Sequence, residues 1–172
     1  MSRRLPIEQA LLGFLIQKPM HGYDLHQQAK AELGDIWYMG ISNIYGALKR
    51  LEKNAWVEST LVPQESHPSR KVYQITPDGE RSFLDWLHTP IITMRKTRVE
   101  FPTKLYFFRT LGLEGVDDLI ATQETFCQNQ VERLKQKAAQ RDPHDLVRLT
   151  FDFRRCQIKA IITWLHECRG KI

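Results

Sequence analysis

Apolar positions recur at helical spacing at both ends of this chain, with a strand-like stretch between them. Ile7, Ala10, Leu11, Phe14 and Leu15 share one helical face. Pro6 suits the first helical position, where its missing N–H is no loss. Lys18-Pro19-Met20-His21-Gly22 breaks that helix. Leu25, Ala29 and Leu33 predict a second helix, which Gly34 stops because glycine accepts the left-handed end conformation. A third helix opens at Gly40-Ile41-Ser42, with Ser42 as its N-cap. It sets Ile41, Ile44, Leu48, Leu51 and Ala55 on one face.

After Trp56 the period changes. Val57–Val62 and Lys71–Thr76 are rich in β-formers and partly alternate, and a polar segment with two prolines, residues 63–70, joins them. This predicts a two-stranded hairpin with a long loop. Thr76-Pro77-Asp78 then combines an N-cap, a proline at the first helical position and a first-turn acid, so a fourth helix follows with Phe83, Leu84 and Leu87. Three helices, a hairpin and a helix make a winged helix-turn-helix with a two-stranded β wing over residues 1–88. Proline at His88-Thr89-Pro90 marks a boundary, and residues 89–172 read as a second, all-helical domain, so the chain is mainly α. Its segments run from about 95 to 111, perturbed by Pro102, from 114 to 141, and from 143 to 168, with Asp142-Pro143 ending one helix and capping the next. Ile120, Cys127, Val131, Leu134 and Ala138 stripe the first long helix, with Glu124 interrupting them. Leu146, Leu149, Phe153, Cys156 and Ala160 stripe the second. Such stripes pair with each other, with a second subunit, or with both.

Charge refines the picture. The chain carries 25 Lys and Arg against 20 Asp and Glu, a net of +5, which favours a polyanionic partner. Residues 1–88 hold 10 of each sign, so the excess lies in residues 89–172. A nucleic-acid site in the first half therefore depends on where its cations sit. On the third helix, Ser42, Gly46, Lys49 and Lys53 fall within about 60° opposite the apolar face, flanked by Asn43 and Arg50. Small polar residues at the N-terminal end admit base edges, and asparagine can pair bidentately with adenine. Lys49, Arg50 and Lys53 can neutralise phosphates and fix register. Tyr45 lies at the border, and His67, Ser69, Arg70 and Lys71 cluster on the wing. The alternative is a lysine-bearing helix that is merely solvated.

His21-Gly22-Tyr23-Asp24-Leu25, Ile44 to Glu52 and Arg70 to Gly79 carry a family signature. Across about residues 7–88 the chain resembles the PadR family of transcriptional regulators, in its AphA-like form with a helical C-terminal dimerisation domain. The resemblance implies a homodimer held by the C-terminal helices, with winged domains reading the half-sites of an inverted-repeat operator on double-stranded DNA. It implies a repressor that releases DNA when a small molecule binds. It places Tyr23, Ser42, Asn43, Tyr45, Lys49 and the basic wing residues at DNA-contacting positions. The family's glycine after the third helix is here Ala55, for which Asn54 is expected to supply the left-handed cap. The wing's usual Gly-Arg pair is replaced by Ser66-His67-Pro68-Ser69.

Other chemistry has less to stand on. GxSxG, P-loop, HExxH and dinucleotide fingerprints are all missing, which argues against an enzyme and against a bound cofactor. His166 and Cys168 are two apart and do not share a helix face, so a metal site is not expected. The three cysteines form no CxxC pair, and Cys127 and Cys156 sit in apolar stripes, against a redox switch. A cytosolic protein is expected, since no signal-peptide pattern or membrane-length apolar run is present and no membrane role is implied. Trp37, Tyr38, Trp56, Trp86, Tyr106, Phe107 and Phe108 are either a site for a small aromatic effector or ordinary core. A winged-helix adaptor for another protein, or a ligand- or metal-binding protein without DNA binding, are the rival functions.

Overall fold

The computed structural model describes residues 6–63 and 70–172. The elements are α1 (Ile7–Gln17), β1 (Met20–His21), α2 (Gly22–Leu33), α3 (Ile41–Lys53), β2 (Val57–Val62), β3 (Arg70–Ile75), α4 (Pro77–His88), α5 (Met94–Leu111), α6 (Val116–Ala139) and α7 (Leu146–Cys168). The fold is a winged helix-turn-helix followed by a helical C-terminal region.

Two compact units result. The first comprises Met1–Thr89 with Lys96–Gly112. At its centre, Ala10 to Leu15 of α1 are all buried. Around them pack Leu25, Ala29 and Leu33 of α2 and Ile44, Ala47, Leu48 and Leu51 of α3. Phe107 of α5 lies edge-on to Phe14 and to Phe83 of α4, with ring centroids 5.3 Å apart in both pairs. These rings explain why α5 packs with the first unit although it follows the proline boundary: Phe101, Phe107 and Phe108 supply part of its core. Pro102 sits inside α5, which runs on past it.

The wing is part of a three-stranded antiparallel sheet of order β1-β3-β2. The segment read as a helix break supplies the extra strand, pairing Met20 with Tyr73 and His21 with Val72. In the β2–β3 ladder, Val57 faces Ile75 and Val62 faces Arg70.

Several caps differ from expectation. Thr76 does cap α4, its Oγ1 accepting from the Gly79 N–H at 3.1 Å. Pro6, however, is the N-cap of α1, not its first residue. Gly34 ends α2 in the right-handed region (φ −59°), so its left-handed freedom is unused. Gly40, not Ser42, is the N-cap of α3. After α3, Asn54 has φ −86°, and Ala55 takes the left-handed conformation at φ +55°. An alanine there costs about 1 kcal/mol relative to glycine. It is held by its N–H to the Glu52 carbonyl and by the Thr76 hydroxyl donating to its own carbonyl at 2.8 Å. Asp145, rather than Asp142-Pro143, caps α7, its Oδ1 accepting from the Val147 N–H at 2.8 Å. That bond holds the Asp145 carboxyl below the usual carboxylate range.

The second unit comprises Pro90–Arg95 with Leu113–Ile172. It is chiefly an α6–α7 hairpin closed by Leu119, Ile120 and Cys127 on one helix and Ile158, Leu165 and Cys168 on the other. Gln123 donates to the Ile91 carbonyl at 2.9 Å and accepts from the Ile91 N–H at 2.6 Å, holding the segment before α5 against α6. Glu124, the acid in the apolar stripe, is buried and held by Arg169 at 2.7 Å, with His166 at 3.6 Å. Burial pushes the Cys127 and Cys168 thiols up. The stripe of α7 lies elsewhere: Leu146, Leu149, Phe153, Cys156 and Ala160 are all exposed in the single chain. Cys156 is therefore not a core thiol, contrary to its reading as part of a packed face.

Candidate nucleic-acid interface

α3 forms where it does because Ile44, Ala47, Leu48 and Leu51 repeat at three and four residues and bury completely. Ile41 and Ala55, expected on that face, lie at its ends and are exposed. Burial of one side leaves Ser42, Asn43, Lys49 and Lys53 exposed along the other, with Gly46 half-buried between them. Because Gly40 takes the cap position, the Ser42 side chain is not engaged in capping the helix.

Tyr45 is about half exposed, and its ring packs on the start of α2. Gly22 makes that possible: a Cβ there would lie 2.7 Å from Tyr45 Cε1. Tyr23, the next residue, is exposed on the first turn of α2. His21 Nδ1 lies 3.1 Å from the Lys71 carbonyl oxygen, tying β1 to the wing. Arg70 and Lys71 are exposed on β3. His67 and Ser69 lie outside the described residues.

The cations divide into two sets. Arg50 donates from Nε to Glu8 Oε1 of α1 at 2.5 Å and is only partly exposed. Lys71 donates to Glu52 Oε1 at 2.9 Å. Among the described residues, Lys49, Lys53 and Arg70 enter no recorded ion pair. Glu8 and Glu52 were not singled out in the sequence. The partners of each pair are far apart along the chain, and although Glu52 closes the Ile44 to Glu52 signature, nothing in its spacing pairs it with Lys71.

The Glu52 carboxyl is held below its ordinary range, first by the Ser59 hydroxyl and then by Lys71. Burial pushes the Tyr73 hydroxyl up.

The seven aromatic residues do different jobs. Trp37, Phe107 and Phe108 are buried. The Trp37 indole donates to Thr103 Oγ1 at 3.0 Å. Trp56 is half-buried, and its carbonyl accepts from the Thr76 N–H. The Trp86 indole donates to Glu100 Oε1 at 2.8 Å. Tyr38 is exposed, while the hydroxyl of Tyr106 is buried and, among the described residues, has no hydrogen-bond partner. A cavity of about 280 Å3 in this unit is lined by Lys18, Pro19, Met20, His21, Asp24 and Val72, and by none of the seven.

Among the described residues, no cluster of His, Cys, Asp and Glu is arranged to hold a metal ion. No described helix is long and apolar enough to cross a membrane. The surface on α3 and the wing combines hydrogen-bonding side chains with unpaired cations, the two functions that base edges and phosphates require.

Residues 11–85 match the model of the transcriptional regulator PadR-like family. The chain is 33% identical over 119 residues to the negative transcriptional regulator PadR of Bacillus subtilis, covering 68% of this chain and 64% of that protein. It is 30% identical over 94 residues to a protein named as a probable transcriptional regulator of Mycobacterium tuberculosis, covering 55% of this chain and 50% of that one. It thus spans less than two thirds of either relative. Among solved structures it is similar to B. subtilis PadR in complex with operator DNA, at 25% identity and a TM-score of 0.47, over 93% of this chain and 95% of that one.

Proposed function

We propose that the chain is a PadR-like transcriptional repressor that binds an inverted-repeat operator as a homodimer, a reading supported by the match of residues 11–85 to the PadR-like family model. One observation carries the DNA-binding part: α3 buries one face and opens Ser42, Asn43, Lys49 and Lys53 to solvent along the other. Such a helix fits the major groove with its N-terminal side chains at base edges and its lysines at phosphates. The winged portion, residues 1–88, reads DNA, and the helices of residues 89–172 hold the two copies together. The exposed stripe on α7 supports the second assignment. Repression follows the role named for the B. subtilis relative. On this reading the protein acts by binding rather than by catalysis, and it works in the cytoplasm.

Fluorescence anisotropy with duplex DNA from upstream of the protein's own gene tests this. Lys49→Ala should weaken binding to all sequences and lower the salt slope by about 1, because one phosphate contact is lost. Asn43→Ala should instead relax preference at one base position, by about 1–3 kcal/mol. Parent protein that binds no duplex, or variants that bind like the parent, would refute the assignment.

A small aromatic effector enters the proposal through Tyr106, whose buried hydroxyl has no hydrogen-bond partner among the described residues. Such a group gains by meeting a ligand's hydrogen-bonding atom. Titration with phenolic acids should change the emission of Trp37 or Trp86 and lower operator affinity. Unchanged emission and affinity across such compounds removes the effector from the reading.

A further inference from the structure

A single carboxylate oxygen links the recognition helix to both strands of the wing. Glu52 Oε1, on the last turn of α3, accepts from Ser59 Oγ of β2 at 2.5 Å and from Lys71 Nζ of β3 at 2.9 Å. In the ladder Ser59 faces Tyr73 and Leu61 faces Lys71, so Ser59 and Lys71 are diagonal neighbours on one face of the sheet. Lys71 Nζ also sits 5.9 Å from the centre of the Tyr73 ring, whose residue is buried.

The ion pair is partly exposed, with side-chain accessibilities of 47% and 27%. Pairs of that kind add little to folding stability. Its geometric effect is larger: three elements meet at one atom, and one of them carries the surface proposed to read bases. The pair also withholds a cation. Freed from Glu52, Lys71 is a phosphate-binding lysine on a wing strand.

We infer that Glu52 is a positioning residue for DNA recognition, which fixes the wing against α3 and holds Lys71 back from indiscriminate phosphate binding. This rests on the DNA-binding reading above. It makes Glu52 a determinant of specificity although it need not touch a base. The acid lowers total attraction to any duplex and restricts binding to sequences on which α3 and the wing engage together.

Glu52→Gln tests this, because glutamine keeps an acceptor for Ser59 but removes the charge that holds Lys71. Affinity for the upstream duplex and for a scrambled duplex of equal composition is measured at several salt concentrations. The scrambled duplex should bind several-fold more tightly to Glu52→Gln than to the parent, with a salt slope steeper by about 0.9. The ratio of upstream to scrambled affinity should fall on the order of tenfold. Adding Lys71→Gln should abolish the gain on the scrambled duplex but leave the ratio low, since the tether is still missing. In the free protein, hydrogen exchange at the β2 and β3 amides should quicken in Glu52→Gln. If the parent discriminates the duplexes while Glu52→Gln keeps the parent's ratio and salt slope, the positioning role is overturned and the DNA-binding reading stands. If the parent discriminates no duplex, both are overturned.

Discussion

Phe153→Glu should convert the protein to a monomer and lower operator affinity by a factor on the order of 100 or more. Leu146 is 78% exposed, Leu149 59% and Phe153 61%, all on the side of α7 away from Ile158 and Leu165. Single exposed apolar residues are ordinary, but a file of them at helical spacing is the surface that the proposed homodimer would cover. Burying each large side chain is worth about 1.5–3 kcal/mol. In the proposed dimer, two copies of the stripe supply the apolar burial that must be set against the freedom lost on association. A glutamate in its middle removes one of the largest of these contributions and adds a carboxylate that must lose water to be buried. Because residue 153 is solvent-facing in the single chain, helicity and the α6–α7 hairpin should survive. Sedimentation velocity and circular dichroism together give the check. A variant that stays dimeric with parental operator affinity means that the stripe is not the interface.

The pH profile of Lys104→Met should diverge from that of the parent by about 3 kcal/mol between pH 8 and about 10.5. Lys104 is 1% exposed. Its ammonium donates to the Trp86 carbonyl at 2.6 Å and to the Thr89 carbonyl, and lies 4.9 Å from the Trp86 ring centre. It thereby adds a second donor to the Trp86 carbonyl, which also accepts the Thr89 N–H, and supplies one to the Thr89 carbonyl just past α4. Burial lowers its pKa to about 8, with Glu100 opposing the shift and Lys96 reinforcing it.

The unfolded chain therefore holds this proton up to about pH 10.5 while the folded one releases it near 8. Between those values the unfolded state binds more protons, so stability rises with pH, and below pH 8 the contribution is level. At neutral pH, methionine removes the cost of a buried charge but takes the lysine's hydrogen bond from the Thr89 carbonyl, at about 1–3 kcal/mol, while the Trp86 carbonyl keeps the Thr89 N–H. These effects oppose, so the two proteins should differ modestly there. Urea unfolding at pH 7 and pH 10 measures the difference. Parallel profiles would mean that Lys104 is solvated as a cation.

Much of the winged fold was legible because its signals are local. The three- and four-residue spacing of Ile44, Leu48 and Leu51 identified the buried side of α3, and therefore the open side bearing Ser42, Asn43, Lys49 and Lys53. Thr76-Pro77-Asp78 announced α4 through a cap that needs only its own backbone. Other caps were misplaced because several residues compete for each helix end: Gly40 starts α3 without a side-chain bond, and Asp145 rather than Asp142 reaches the free amides of α7. Ala55 shows the same limit. Its left-handed backbone is imposed by bonds to Glu52 and Thr76, against its own preference.

The spacing of the α7 stripe was visible, but spacing reports only that a face is apolar. Which face meets α6 depended on the whole hairpin. Ile158 and Leu165 took that role, leaving Leu149 and Phe153 outward.

The order of residues alone settled the helical periods, the hairpin and the open face of the third helix, because backbone preference and hydrophobic period act over a few neighbours. Tertiary structure decided which cations remain available. Glu8 and Arg50 are 42 residues apart, Glu52 and Lys71 are 19, and only the folded chain brings each acid to its base. It also decided that α5 completes the first core, since the edge-on packing of Phe107 against Phe14 and Phe83 needs three distant helices at once. Coulomb attraction and ring packing act over a few ångströms, so these effects depend on proximity in space, which spacing along the chain does not specify.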